Sequence, residues 1–284
     1  PDELEGRLDE VYERLVRHFS AEDEPADAAL ENQQVILGEL FTGASCPPCV
    51  AAALATGALE MHYPESRYLM LRYHQHIPGP DPLTVADGEL RRDYYEIQHA
   101  PSLFLNGKQI NGAAGDFFRA PLVYNSLKSL INPLLEQTSE LTIDLSANVN
   151  ETGDAIQLRA DVQGTEEFPD NWRLRLCLVE NEIRYPAPNG IRIHEMVVRI
   201  MPGGANGILA DEGSLSYEDE LSMDDIMAEI EAGIGAAESR SGGQLPPLNP
   251  QITGLQLVAF VQNDDTLEIL QAASTPVNGL ASVE

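Results

Sequence analysis

Two cysteines separated by two prolines, Cys46-Pro47-Pro48-Cys49, are the residues whose types and spacing could do chemistry. Thiols this close can join as a disulfide and part again, because a thiolate attacks a disulfide sulfur through a mixed-disulfide intermediate. Zinc is the other common use of such a pair, but it needs a second pair of ligands, and no other Cys-x-x-Cys and no His-x-x-x-His occurs. The third cysteine, Cys177, lies in an apolar stretch and is expected to pack as a small buried hydrophobe. Three cysteines in 284 residues do not make a disulfide framework.

The flanking sequence says how the pair is held. Val35, Ile36, Leu37, Leu40 and Phe41 form an apolar run too short for a globular helix, so a buried strand precedes the cysteines. Residues 51–59 are rich in helix formers, and proline is tolerated in a first helical turn because its missing N–H has no partner there. Cys46 and Cys49 are therefore expected at the N-terminus of a helix. There the macrodipole and free N–H groups favour a thiolate and can lower a thiol pKa from about 8.5 to roughly 3.5–7.5. Cys46, nearer the tip, is expected to be exposed and to attack, and Cys49, one turn inward, to resolve the mixed disulfide.

A second strand is expected over 67–74, ending at His74, and Gln75-His76 then opens a proline-rich loop. Functional groups of open α/β sheets gather at the carboxyl ends of parallel strands, which places His74 near the cysteines. It could tune the thiolate there or, with Cys46 and Cys49, hold a soft ion such as Cu(I). The competing reading is that His74 and His76 only hydrogen-bond within the loop. His194 is expected on a strand surface, and His18, His62 and His99 carry no partner pattern.

Residues 2–19 read as an amphipathic helix through Leu4, Leu8, Val11, Leu15 and Phe19, followed by an acidic linker to about residue 33. After the second strand come a helix over 84–97, a hairpin turning at Asn106-Gly107, and a helix over 117–135. From Leu141 onward apolar residues alternate with polar ones, the mark of half-buried antiparallel strands, and their spacing suggests a sandwich. One helix, over 222–234, interrupts them, with Ser222 and Asp225 as a capping box.

The formal charge is −29, from 46 acidic and 17 basic residues, and only Lys108 and Lys128 are lysines. No basic field exists to displace counterions from nucleic acid or to adhere to an anionic membrane. No run approaches the ~20 apolar residues of a membrane span, so no membrane insertion of this chain is expected. Beginning at Pro1, the chain is expected to be a trimmed or mature form. There is no Ser-His-Asp order, phosphate-cradling glycine loop or Cys-x-x-Cys-His haem motif, and no cofactor or resident metal is expected.

Strand, Cys-x-x-Cys and helix, followed downstream by Ala100-Pro101 ahead of a hairpin, resemble the thioredoxin superfamily. That resemblance implies a cis peptide before Pro101, with Ala100 and Pro101 facing the cysteines and pairing with a substrate strand. A narrower likeness rests on four features. These are Glu39-Leu40-Phe41-Thr42 ahead of the cysteines, the strand end bearing His74, Tyr94-Tyr95 ahead of Ala100-Pro101 and Asn106-Gly107, and Phe260-Val261-Gln262-Asn263 ahead of Ile269-Leu270-Gln271-Ala272. They look like the bacterial outer-membrane-protein-28-related proteins, which are extracytoplasmic chains with a thioredoxin-like domain often followed by β-rich modules.

The implied architecture is a thioredoxin-like α/β domain over 34–137 and an immunoglobulin- or fibronectin-like β-sandwich over 138–284, after the segment 1–33. The implied activity is thiol–disulfide exchange on extracytoplasmic protein thiols and disulfides, with a redox partner protein. The alternative is a periplasmic, envelope or secreted interaction protein whose sandwich binds a partner and whose cysteines form a static disulfide or a copper site. Three departures from thioredoxin stand out. Ser45 replaces the usual tryptophan, Pro47-Pro48 replaces Gly-Pro, and the acid, Glu39, lies seven residues before Cys46 rather than six; buried beneath the pair it could relay a proton, and the competing reading is an exposed surface residue.

Overall fold

Ahead of the cysteines, the apolar run forms β1 (Ile36–Thr42), buried along its whole length. In the computed structural model, residues 33–164, 167–211, 213–243, 245–248, 250, 252 and 254–280 are described. The helix expected over 2–19 and its linker lie outside them. A short 3-10 turn at Pro47–Cys49 leads into α1 (Val50–His62). There follow β2 (Tyr68–His74), α2 (Ala86–Tyr94), β3 (Ser102–Leu105), β4 (Lys108–Ile110) and α3 (Ala120–Leu134). Asn106 and Gly107 turn the β3–β4 hairpin with φ of 45° and 80°, the left-handed conformations that a two-residue turn demands. Pro121 stands in the first turn of α3, where no N–H is needed.

The later strands are β5 (Thr142–Val149), β6 (Ala155–Gln163), β7 (Trp172–Arg184), β8 (Ile193–Ile200), β9 (Leu215–Ser222), β10 (Leu255–Asn263) and β11 (Ile269–Pro276). The expected capped helix is α4 (Met223–Ser241), longer than its pattern suggested. Ser222 Oγ accepts from the N–H groups of Asp224 and Asp225, and Ile226 and Ile230 are buried.

These strands do not assemble into a sheet pair of their own. β11, β10, β7 and β8 continue the first sheet, in the order β11-β10-β7-β8-β2-β1-β3-β4, and only β5, β6 and β9 form a separate three-stranded sheet. The join is a parallel pairing of β2 with β8 at Arg72 and Val197. The large sheet curls: Ile269 at its far end donates its N–H to the carbonyl of Asn106 in the β3–β4 turn. One core therefore takes Leu37, Phe41 and Phe104 from one end and Phe260, Ile269 and Ala272 from the other. Outside the curl, α1 and α3 cover β1 through Ile36 and Leu40. The three-stranded sheet covers β7 and β10 through Leu174, Leu176, Leu178, Leu257 and Ala259.

The departure from a self-contained sandwich has a physical reason. Alternation along β7 promises one wet face, but Cys177 and Val179 face the inner core while Leu176 and Leu178 face the outer one. Arg175, which reads as a solvent-facing residue, is buried and bound to Asp264 and to the carbonyl of Ala205. Strands buried on both faces are the habit of sheets covered on both sides. Among the described residues no helix is long and apolar enough to cross a membrane.

Candidate redox site

Cys46 and Cys49 are joined as a disulfide at the entry to α1. Three residues, Gly43-Ala44-Ser45, separate Thr42, the last of β1, from Cys46, and this loop is fixed from both sides. On one side Asp81 Oδ2 accepts from the N–H of Ala44 at 2.6 Å, and Ser45 Oγ donates to the carbonyl of Pro80 at 3.3 Å. On the other, the loop between β7 and β8 lies against it. There Asn189 donates its main-chain N–H to the Ala44 carbonyl at 3.0 Å. Its side-chain amide donates to the carbonyls of Gly43 at 3.2 Å and Cys46 at 3.4 Å.

Neither sulfur-bearing residue is exposed: Cys46 and Cys49 are both at 0%. The expectation of an exposed Cys46 is corrected accordingly. Beside the pair lies the 185–191 loop, contributed by sequence far from the motif, whose Tyr185 and Ala187 pack with Ala44 and whose Asn189 reaches the Cys46 carbonyl. The N–H groups expected to cradle a thiolate are also engaged. Pro47 and Pro48 have none, that of Cys49 goes to the Cys46 carbonyl, and that of Ala51 to the Gly115 carbonyl. The helix dipole is left as the main local field favouring a thiolate.

The peptide between Ala100 and Pro101 is cis, as the resemblance implied. Register places it: Phe41 pairs with Ser102, so Pro101 stands beside the end of β1, where the cysteine loop begins.

Glu39 is not beneath the pair. In a strand, neighbouring side chains point to opposite faces. Ile36 and Leu40 pack on α1, so Glu39 shares the inner face with Leu37 and Phe41. There its carboxylate accepts from Arg91 Nε and Nη2, each at 2.9 Å, and from the Tyr95 hydroxyl at 2.6 Å. The extra residue of spacing relative to thioredoxin is what turns the side chain to the other face.

His74 does end beside the loop, opposite Thr42 in the β1–β2 register. Its Nδ1 lies 2.6 Å from Asp81 Oδ2, the same oxygen that receives Ala44. Burial pushes the Asp81 carboxyl up, but His74 and the hydrogen bonds from His74, Leu83 and Ala44 outweigh it and hold it below the usual range. Asp81 is the residue that sequence reasoning missed; a lone acid in Gly79-Pro80-Asp81-Pro82 reads only as a turn. His76 serves the loop, its Nδ1 accepting from the N–H of Asp81 at 3.1 Å.

His194 is corrected from surface to buried. Its ring lies 5.1 Å from that of His74, edge to face. Burial first, and His74 second, push it down to about 3. A cavity of about 20 Å³ lined by Gly43, Ala53, His74, Asn189 and His194 lies under the loop, room for roughly one water. With the pair oxidised, the three groups of the copper reading are otherwise engaged. The two sulfurs are bonded to each other, His74 Nδ1 is held by Asp81, and among the described residues no three His, Cys, Asp or Glu side chains group as metal ligands.

Fold and site thus define a mixed α/β protein with one large sheet, four α-helices among the described residues, and a disulfide at a helix entrance. No protein-family model matches the chain, and no curated protein matches it. Among solved structures it is similar to HBP35 of Porphyromonas gingivalis, with a TM-score of 0.60 and 14% identity over 91% of this chain and 81% of that one. That likeness is one of fold. A domain of the outer membrane lipoprotein Omp28 from the same organism aligns over 49% of this chain and 89% of its own, at 14% identity and a TM-score of 0.27.

Proposed function

We propose that the chain is a thioredoxin-like thiol–disulfide oxidoreductase acting on protein thiols and disulfides outside the cytoplasm, with a second protein resetting its redox state. The observation that carries this reading is the Cys46–Cys49 disulfide at the entrance of α1, with the cis Ala100–Pro101 peptide at the neighbouring strand end. The domain at 34–137 would supply the reacting groups and the later strands the surroundings of the site.

In the oxidising direction a substrate thiolate attacks Cys46 Sγ. The Cys46–Cys49 bond breaks and Cys49 leaves as a thiolate that takes up a proton. A second substrate thiolate then attacks the substrate sulfur of the mixed disulfide, forming the substrate disulfide and releasing Cys46. Two electrons have passed from substrate to the pair, and the reverse sequence reduces a substrate disulfide. Ala100 and Pro101 would bind the substrate strand beside Cys46. His74, held by Asp81, is the remaining candidate for tuning the thiolate, since Glu39 is committed to Arg91 on the other face.

The test is catalysis of insulin disulfide reduction with dithiothreitol as electron source. The native chain should accelerate it, Cys46→Ser should abolish the acceleration, and Cys49→Ser should trap mixed disulfides on Cys46. Full activity in Cys46→Ser would sink the proposal. So would a reduction potential for the pair below about −300 mV, where structural disulfides lie.

A further inference from the structure

We propose that Asn189 is a positioning residue that latches the 185–191 loop over the cysteine pair, so that thiol–disulfide exchange requires this loop to lift. The inference rests on the redox reading above and deepens it by naming what controls access to Cys46.

Three observations converge. Both cysteines are at 0% exposure although Pro47 and Pro48 between them are exposed, so the cover lies over the cysteines and not over the whole motif. Asn189 alone donates to three carbonyls of the Cys46 loop, those of Gly43, Ala44 and Cys46. The two walls also hold the cysteine loop in different ways. The 75–83 wall is anchored in the interior, with Gln75, Asp81 and Leu83 at 0% exposure. It presses so closely that a Cβ on Gly43 would stand 2.3 Å from the Ile77 carbonyl. The 185–191 wall alternates exposed Pro186, Pro188 and Gly190 with buried Tyr185, Ala187 and Ile191; Tyr185 and Ala187 pack with Ala44, and Asn189 supplies the hydrogen bonds to the cysteine loop. Its own shape is independent of that grip: Asn189 Oδ1 accepts from the Ile191 N–H at 3.0 Å, and the Gly190 N–H goes to the Ala187 carbonyl. The turn between the buried Tyr185 and Ile191 therefore keeps its own shape when Asn189 lets go of the cysteine loop.

An amide side chain is what this latch needs. Its Nδ2 donates outward to the cysteine loop while its Oδ1 accepts inward. Asn189→Asp keeps the inward acceptor but turns a carboxylate toward carbonyl oxygens. Asn189→Ala removes both side-chain roles and leaves only the main-chain donor.

The experiment measures the rate at which dithiothreitol reduces the Cys46–Cys49 disulfide in the native chain, Asn189→Ala and Asn189→Asp, together with the equilibrium potential of each. Every variant is first confirmed to unfold cooperatively. Reduction is expected to speed up about tenfold in Asn189→Ala, corresponding to about 1.4 kcal/mol of lost latch, and at least as much in Asn189→Asp. The potentials should not move, because the contacts are to backbone carbonyls rather than to sulfur. Unchanged rates in both variants overturn the latch. A rate gain matched by an equal shift in the equilibrium also overturns it, since Asn189 would then act on disulfide stability rather than on access. Failure of the redox reading looks different: the variants would still be reduced faster, but neither they nor the native chain would catalyse insulin reduction.

Discussion

Arg91 from α2 reaches Glu39 of β1 with two parallel hydrogen bonds of 2.9 Å, both side chains at 0% exposure inside the curled sheet. Gln262 of β10 accepts a further bond from Arg91 at 2.8 Å, so β1, β10 and α2 meet on one guanidinium. Tyr94 and Tyr95 stack their rings 4.7 and 4.6 Å from its centre. The pair belongs to the fold, on the face opposite the cysteine helix.

Glu39→Gln follows directly from that placement. It leaves the buried Arg91 charge without its counter-charge, and breaking a buried pair costs about 3–5 kcal/mol. Denaturant unfolding should show that loss. The potential of the cysteine pair, measured on the folded variant, should not change; a shift in potential would restore Glu39 to the redox chemistry.

Acid should weaken the chain through His194. Buried, it is held down to about 3, whereas the unfolded chain titrates near the ordinary imidazole value of about 6.5. Between those values the unfolded state binds a proton that the folded state refuses. Stability is therefore present above about pH 6.5 and is lost as the pH falls, by up to about 1.4 kcal/mol per unit for this one group. Asp81, held below the usual carboxylate range, contributes with the same sign at lower pH, below its unfolded value near 3.9. His194→Gln can still donate to the Tyr185 carbonyl, which His194 Nε2 meets at 3.1 Å. Urea midpoints across pH 4 to 7 should flatten in that variant by about one proton's worth of slope.

What was legible in the sequence was local. The strand before Cys46, the helix after it, the Asn106-Gly107 turn and the Ser222 cap are each specified by a few adjacent residues. The residues that enclose the site come from far along the chain. Asn189-Gly190 signals a turn and Asp81 a proline-rich loop, but nothing in either stretch says that it closes on Ala44. Face assignment failed at Glu39 because one residue of offset inverts a strand side chain. The single large sheet was hidden because β7 and β10 alternate between two cores, and the buried Arg175 imitates a surface residue.

Gly43→Ala tests how tightly the cysteine loop is held. The added Cβ would lie 2.3 Å from the Ile77 carbonyl and 3.2 Å from that of Gln75, both backbone atoms that cannot swing aside. Overpacking of this kind costs typically about 1–3 kcal/mol. A lower unfolding midpoint is expected, together with faster reduction of the disulfide, because the loop is pushed away from the 75–83 wall. An unchanged midpoint would show that this wall yields.

Cys177 supplies an internal control for thiol chemistry. It is buried in the inner core, its sulfur 3.5 Å from the Tyr73 hydroxyl, and burial pushes its thiol up to about 12. Since the thiolate is the reacting species, almost none is present at neutral pH, and access is closed as well. After mild reduction, iodoacetamide should label the Cys46 and Cys49 pair first, since exposed Pro47 and Pro48 place it next to solvent while Cys177 lies inside the inner core. Cys177 should resist until the chain is unfolded, and peptide mass mapping separates the three. Labelling of Cys177 in the folded protein at a rate near that of Cys46 would mean that the inner core opens readily, and would count against the rigid frame from which the cysteine loop is held.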